Sequence, residues 1–477
     1  MVNSSKGLRG ICSLSCAVLL AASAPAVAAS YAIDNVSLVD VETGTHRTGQ
    51  TVVIDGTTIQ AIGQRAAVAI PEGSQRIDGR GKFLIPGLWD MHVHSHRERR
   101  WTYHYPLFRA WGVVGVRDAG SHLGSALAAR ERAVADPLAP HVIWGSPIID
   151  GAPQINSFGL SAEDEQSGRV LVREMQRMGF DFIKVYDRLT PEAYRGIAAE
   201  AKTRGMRLEG HVPLSISPDA AVNAGQTLID HLTLVMEACI PGAIKLVNSE
   251  QAAKPETVDS LALIADARMA AALGHYDPAV CDAQFSQFAA KDVWQVPTLI
   301  QMKGYFFADQ LAVAIDPRSD QVPANVLAEW QSRGREADRA ELANGREALA
   351  AQMRMFRAMQ DRGVKLLTGT DTSNEPWVFA GSSVHDELLL FVESGLAPAE
   401  ALRAATLNPR LYQGRDTAVP LLAAGERADL VLLDADPLVD ISNTRRIAGV
   451  FARGSYHDRT SIGQLLAAAR QAAAKGQ

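Results

Sequence analysis

In the stretch IPGLWDMHVHSH, Ile85 to His96, three histidines follow an apolar run at alternate positions. Side chains two apart on an extended strand share a face, so His92 and His94 offer two neutral imidazoles to one side. That arrangement suits Zn²⁺ and other borderline metals. It also suits two hydrogen-bonded structural histidines, and His96 falls outside the pair as an outer group. The ends of other apolar runs add Asp118, Lys184, His211, His231 and Asp371, whereas HVIWGSP and VWQVPTL, the third and seventh runs, end without an ionisable residue.

Taken singly, these residues have simpler roles. His211 and His231 fit core or surface histidines, Asp371 in TGTDTS fits a helix cap, and Asp118 in VRDAG fits a turn brace. Lys184 fits a surface pair with Asp187. An ammonium aimed at a metal is repelled by it, whereas a lysine carboxylated by CO₂ becomes a bridging anion.

The elements that must position these residues follow from periodicity. Eight apolar runs, FLIPGLWDMH, GVVGVRD, HVIWGSP, DFIKVYD, MRLEGHV, QTLIDHL, VWQVPTL and VKLLTGTD, alternate with helical windows such as TPEAYRGIAAEAKTRG. This pattern predicts an α/β fold, a (β/α)₈ TIM barrel over 84–409, whose strand C-termini converge on one face. No glycine-rich phosphate loop follows an early strand, which disfavours an open doubly wound sheet. Two long connections, 232–292 and 300–364, predict helical insertions over that face. Alternating runs in 29–83 and 410–458 predict a small β-sandwich built from both ends, and 459–477 predicts a terminal helix capped by Ser461.

Residues 1–28 have the pattern of a cleaved secretory signal, with Lys6 and Arg9 before a short apolar stretch and APAVA before a cleavage site near Ala28. Most of that stretch follows Cys16, which argues against a lipid anchor there. Loss of the leader takes the formal net charge from −6 to −8, a balance that gives no reason to expect nucleic acid. A periplasmic or secreted protein, with no membrane association after cleavage, is the expectation; a homo-oligomer is left open. Cys239 and Cys281 then remain, either as two buried thiols or as a disulfide worth ~4 kcal/mol in the chain-entropy account.

The motifs PGLWDMHVHSH, FIKVYD, EGHV, DHL and LLTGTDTS, in this order, resemble the metal-dependent amidohydrolase superfamily, in its imidazolonepropionase-like and prolidase-like branch. HDELLLFVESGLAPAEALRAATLNPR and GERADLVLLDADPL resemble the same branch. The resemblance implies two divalent metal ions, Zn²⁺ foremost. His92, His94 and Asp371 would bind one, His211 and His231 the other, and carboxylated Lys184 would bridge them. It further implies a metal-bridging hydroxide attacking an amide or peptide C–N bond of a dipeptide, Xaa-Pro or N-acyl amino acid substrate, with Asp371 carrying the proton. The same centre also suits esters, lactones or phosphotriesters, and a non-catalytic metal or ligand carrier is the alternative of another class. For substrate contacts, the loop Arg97 to Tyr105 offers Arg97, Tyr103 and His104, and the fourth run, DFIKVYD, offers Tyr186 on the strand face of Lys184. Each also has a simpler reading, as a solvated basic loop or as packing beneath the lysine. His385 is expected to be structural.

Overall fold

The computed structural model describes residues 30–155, 158–240, 277–314, 316–372, 375–415 and 418–476. The expected leader 1–28 and the middle of the first insertion, 241–276, lie outside them.

Five strands open the chain: β1 Ser30–Asp40, β2 Thr45–Asp55, β3 Thr58–Gln64, β4 Gln75–Asp78 and β5 Phe83–Pro86. Ten follow through the middle. They are β6 Leu88–Val93, β7 Val113–Asp118, β8 His141–Trp144, β9 Ile149–Asp150, β10 Leu160–Ser161, β11 Phe182–Val185, β12 Arg207–Gly210, β13 Gln226–Asp230, β14 Trp294–Val296 and β15 Lys365–Leu366. Three close the chain: β16 Leu430–Leu433, β17 Ile447–Ala452 and β18 Ser455–Asp458.

The two ends meet as expected, but as one hydrogen-bonded sheet in the order β18-β17-β16-β5-β1-β2-β3, with β4 beside β1. A sandwich was expected. The difference lies in β5, which pairs parallel with β1 and antiparallel with β16, so the halves are joined edge to edge. The sheet then curls until Thr58 bridges Arg427, closing over Ile33, Val52, Ile54, Leu84, Leu430, Leu432 and Phe451. The apolar run FLIPGLWDM is also divided, since FLIP belongs to this sheet and only LWDMHV to the parallel one. The break falls at Pro86-Gly87, where proline removes a ladder donor. A Cβ on Gly87 would lie 2.5 Å from Val114, so the two sheets approach too closely there for any other residue.

The parallel strands form two sheets, β6-β7-β8 and β10-β9-β11-β12-β13-β14-β15. Main-chain contacts span both seams. On one side Gly145 bridges Phe182 and Asp181 N donates to Trp144 O at 2.8 Å. On the other, Met91 N donates to Thr368 O at 2.8 Å and Val93 bridges Thr372. All eight apolar runs therefore contribute to this architecture; β9 and β10, two residues each, were not anticipated. The strands are buried on both faces, as helix-covered parallel strands must be. Helices between them start on side-chain caps: Asp164, Thr190 and Ser217 each accept a main-chain N–H, the last two followed by proline.

The second insertion is helical, comprising Leu299–Phe306, Ala308–Val313, Ala324–Glu336 and Arg339–Asp361. In the first, helices Thr233–Ala238 and Pro278–Ala290 are joined by a Cys239–Cys281 disulfide with Cα atoms 4.7 Å apart. The terminal helix runs Arg459–Ala474; its cap is Asp458, which accepts from Ser461 N, so Ser461 sits inside the first turn. Among the described residues no helix is long and apolar enough to cross a membrane.

Because the disulfide spans a sequence separation of 42, replacing both cysteines by serine is expected to lower unfolding free energy by about 2–4 kcal/mol. Denaturant titration of the oxidised wild type beside the double variant measures it, and equal midpoints would refute the expectation.

Candidate active site

His94, His211, His231 and Asp371 line a cavity of about 430 Å³. His92 and Lys184, fully buried, stand behind them. The ligand atoms of His92, His94 and Asp371 lie within 4.8 Å of one another. Asp371 Oδ1 is 3.2 Å from His94 Nε2 and 3.5 Å from His92 Nε2, and Asp371 Oδ2 is 3.8 Å from His231 Nε2. The His231 ring centre lies 4.8 Å from those of His92 and His211. Six residues spread over nearly 280 positions of sequence thus meet at one end of the parallel strands.

The imidazoles are held from behind. His94 Nδ1 donates to Gly120 O at 2.6 Å, and His211 Nδ1 to Asp187 Oδ1 at 2.8 Å. The Thr298 hydroxyl donates to Pro297 O, so its oxygen accepts from His231 Nδ1 at 2.6 Å. Carbonyls and carboxylates only accept, which assigns the proton of these rings to Nδ1 and leaves the Nε2 lone pairs available. His92 Nδ1 is 3.0 Å from Asp230 Oδ1. His92 Nε2 and Asp371 Oδ1 are buried without a hydrogen-bond partner, as expected of atoms arranged for a cation.

The backbone is bent to make this possible. His231, Thr298 and Asp371 have φ of 63°, 49° and 62°, left-handed values that cost a non-glycine residue roughly 1–3 kcal/mol. A Cβ on Gly369 would lie 2.4 Å from Val296 and 2.8 Å from the His92 Cβ, so glycine lets the Asp371 segment lie against β6 and β14.

Burial lowers the His92 pKa to about 4 against the pull of Asp230 and Asp371. It holds His231 well below its ordinary value, helped by His211 and His92. Burial alone would raise Asp371, but His92, His94 and His231 outweigh it and lower the carboxyl. Near neutrality His92 and His231 are therefore uncharged imidazoles and Asp371 an ionised carboxylate, the forms that ligate metals.

Among the other anticipated residues, Arg97 and Tyr186 line the cavity. The Arg97 guanidinium stacks 4.1 Å over Phe158, and Tyr186 lies 4.0 Å from the His211 ring. Tyr103 and His104 do not line it. The expected loop becomes helix at Trp101, which turns both into the core, and His104 Nδ1 meets Ser95 Oγ at 3.0 Å. Lys184 is ion-paired with Asp230, not Asp187. His96 is an outer group between Asp118 Oδ2 at 2.5 Å and Tyr105 OH at 2.9 Å, and Asp118 braces the turn through Gly120 N and Ser121 Oγ. His385 is structural, bonded to Thr444 and Trp111 O.

Asp230, Thr298 and Glu387 were not anticipated, and Asp187, expected beside Lys184, partners His211 instead. Asp230 directly precedes His231 in IDHL, and strand alternation would send the two to opposite faces. The left-handed turn at His231 ends that alternation. Thr298 was passed over because a hydroxyl is not ionisable, although it closes the seventh run. Glu375, on the cavity wall, is pushed up to about 7 by burial and by Asp371. The helix Ala324–Glu336 supplies Asn325, Val326, Glu329 and Trp330 to the same cavity, so the second insertion walls it.

The family described as "Amidohydrolase family" matches residues 112–456. A bottromycin amidohydrolase structure superposes with TM-score 0.72 at 22% identity, covering 93% of this chain and 90% of that one. A putative prolidase from Bifidobacterium longum gives 0.64 at 20%, covering 93% and 99%. A Xaa-Pro dipeptidase with bound methionine gives 0.64 at 17%, covering 90% and 100%. These likenesses show a TIM-barrel-type α/β fold. An adenine deaminase of Escherichia coli O1:K1 / APEC is 42% identical over 76 residues, 16% of this chain and 12% of that protein.

The Glu387 carboxylate reaches the start of the helix after Thr298, accepting from Leu299 N at 2.9 Å and Ile300 N at 2.6 Å. Burial pushes this carboxyl from 4.5 to about 8. A raised folded-state pKa gives a contribution that is fully present below the unfolded value and lost as pH rises through the folded one. In the metal-free chain the Glu387 contribution to stability should therefore be lost between pH 4.5 and about 8, so the wild type should lose thermal stability relative to Glu387→Gln as pH rises through that window. Melting curves across this range measure it; equal slopes for the two proteins would contradict the assignment.

Proposed function

The chain belongs to the amidohydrolase family, and from that premise we propose that it hydrolyses carbon–nitrogen bonds of dipeptides, Xaa-Pro compounds or N-acyl amino acids. The observation that carries this is the convergence of His94, His211, His231 and Asp371 on one cavity, with His92 and Lys184 buried behind them and Nδ1 tethers on His94, His211 and His231 that leave Nε2 for a metal.

In this reading His92, His94 and Asp371 would hold one divalent ion and His211 and His231 a second, and Lys184, once carboxylated, would supply a further anionic ligand; the partnerless His92 Nε2 and Asp371 Oδ1 support the fit. Bound there, such ions polarise a carbonyl and lower the pKa of water. The rest falls to the protein. Asp371, beside His94 and His231, takes a proton from the attacking water and delivers it to the leaving nitrogen. Arg97, half-buried and stacked on Phe158, receives the substrate carboxylate, for which a planar guanidinium is well shaped. Tyr186 donates to the substrate carbonyl from the same wall. The helical insertion bearing Trp330 limits access of bulk water. A cavity of about 430 Å³ above the donors favours an enzyme over a metal carrier. The strands, with main-chain contacts across both seams, support a closed (β/α)₈ barrel, and the disulfide supports an extracytoplasmic location.

Chelator-sensitive turnover on a panel of N-acyl amino acids, Xaa-Pro dipeptides, lactones and phosphotriesters tests the reading. Turnover confined to lactones or phosphotriesters would replace it, and no turnover by a metal-loaded protein would favour the carrier. Asp371→Asn should fold and lose about 10²–10⁴-fold in kcat. Near-wild-type kcat in a metal-loaded variant would remove Asp371 from the proton path.

A further inference from the structure

Behind the candidate ligands lies a fully buried charged cluster that the proposed chemistry does not use. Arg117, on β7, donates from Nε to Glu209 Oε2 at 2.8 Å and from Nη1 to Asp230 Oδ1 and to Met91 O, both at 3.1 Å. Its guanidinium lies 4.3 Å over the Phe182 ring, and Nη2 comes within 2.8 Å of Glu209 Oε2. Glu209, on β12, accepts from the Tyr412 hydroxyl at 2.5 Å through its other oxygen, and Arg207 stacks 4.1 Å over the Tyr412 ring. Asp230, at the end of β13, divides its two oxygens. Oδ1 meets Arg117 and His92 Nδ1, and Oδ2 meets Lys184 Nζ.

We propose that Asp230, anchored by Arg117, Glu209 and Tyr412, is a positioning residue that holds His92 and Lys184 in the places the metal centre requires. This rests on the reading of those two residues as ligands. One carboxylate spans side chains from β6 and β11, strands that are not neighbours, and so sets the separation of two donors that no backbone pairing links directly. Arg117 fixes that carboxylate and, through Met91 O, the main chain one residue before His92. The Tyr412 hydroxyl extends the chain of contacts to the helix Leu407–Tyr412, outside the strands. A buried ion cluster is seldom the most stable way to fill a core, which makes orientation the physical reason for one here.

The test is a Zn²⁺ titration of the metal-stripped full chain against a chromophoric chelator. Asp230→Asn should bind Zn²⁺ about 10- to 100-fold more weakly, the scale typical of lost outer partners. Reloaded with metal, it should lose kcat with KM unchanged. Tyr412→Phe keeps the ring over Arg207, removes one donor, and should weaken Zn²⁺ in the same direction by less. Wild-type affinity and stoichiometry in a folded Asp230→Asn overturns the proposal. If that variant does not fold, Tyr412→Phe decides, with unchanged affinity overturning the proposal and weakened affinity supporting it. The titration needs no substrate, so a wild-type chain that binds Zn²⁺ but hydrolyses nothing defeats the hydrolase reading alone, and one that binds no Zn²⁺ defeats both.

Discussion

Arg117 and Lys184 share the strand interior with two carboxylates, Glu209 and Asp230, and all four are excluded from water. Desolvating any one of them alone would cost more than the packing around it returns, so the group is stable only as a set. Because its members come from β7, β11, β12 and β13, the set also fixes how those strands sit relative to one another. The donors at the strand ends inherit that arrangement, since Asp230 touches both His92 and Lys184.

The same logic of support from behind continues around the cavity. Gly120 O, Asp187 and Thr298 each take the Nδ1 proton of one imidazole, which fixes ring orientation and tautomer together. Left-handed backbone at His231, Thr298 and Asp371 is tolerable only where surrounding contacts over-determine it. Glu387 supplies one such contact by capping the helix after Thr298, and the hydrogen bond from Asp371 N to His92 O at 2.8 Å supplies another. The distant end sheet serves the site indirectly. Its β5 runs into β6 across Pro86-Gly87, so the strand carrying His92 and His94 is anchored at its start.

Much of this was legible in the residues. A donor of the right type at the end of an apolar run is a local signal, and His92, His94, His211, His231, Lys184 and Asp371 all carry it. The supporting groups lack such a signal. Asp230 is hidden by the alternation rule that His231 breaks, and Thr298 and Gly120 O support the site through oxygens that no charge pattern reveals. Tyr103 and His104 misled for the opposite reason. They are chemically suitable and close in sequence to the His-x-His, but a helix starting at Trp101 turns them inward. The β-sandwich was expected because alternating strands at both ends must bury one face. Whether they do so as two sheets or one curled sheet depends on the partners of β5, which are about 390 positions apart.

The sequence by itself determined the family, the parallel α/β class and the set of candidate donors that meet at the site, because these depend on residue type, short spacing and order along the chain. Tertiary structure alone decided which partners orient those donors and which aromatic residues face the cavity. It also decided which residues of the second insertion, expected over that face, line the cavity. Those outcomes depend on contacts between residues tens to hundreds of positions apart, where burial and geometry choose among partners that are chemically equivalent in the sequence.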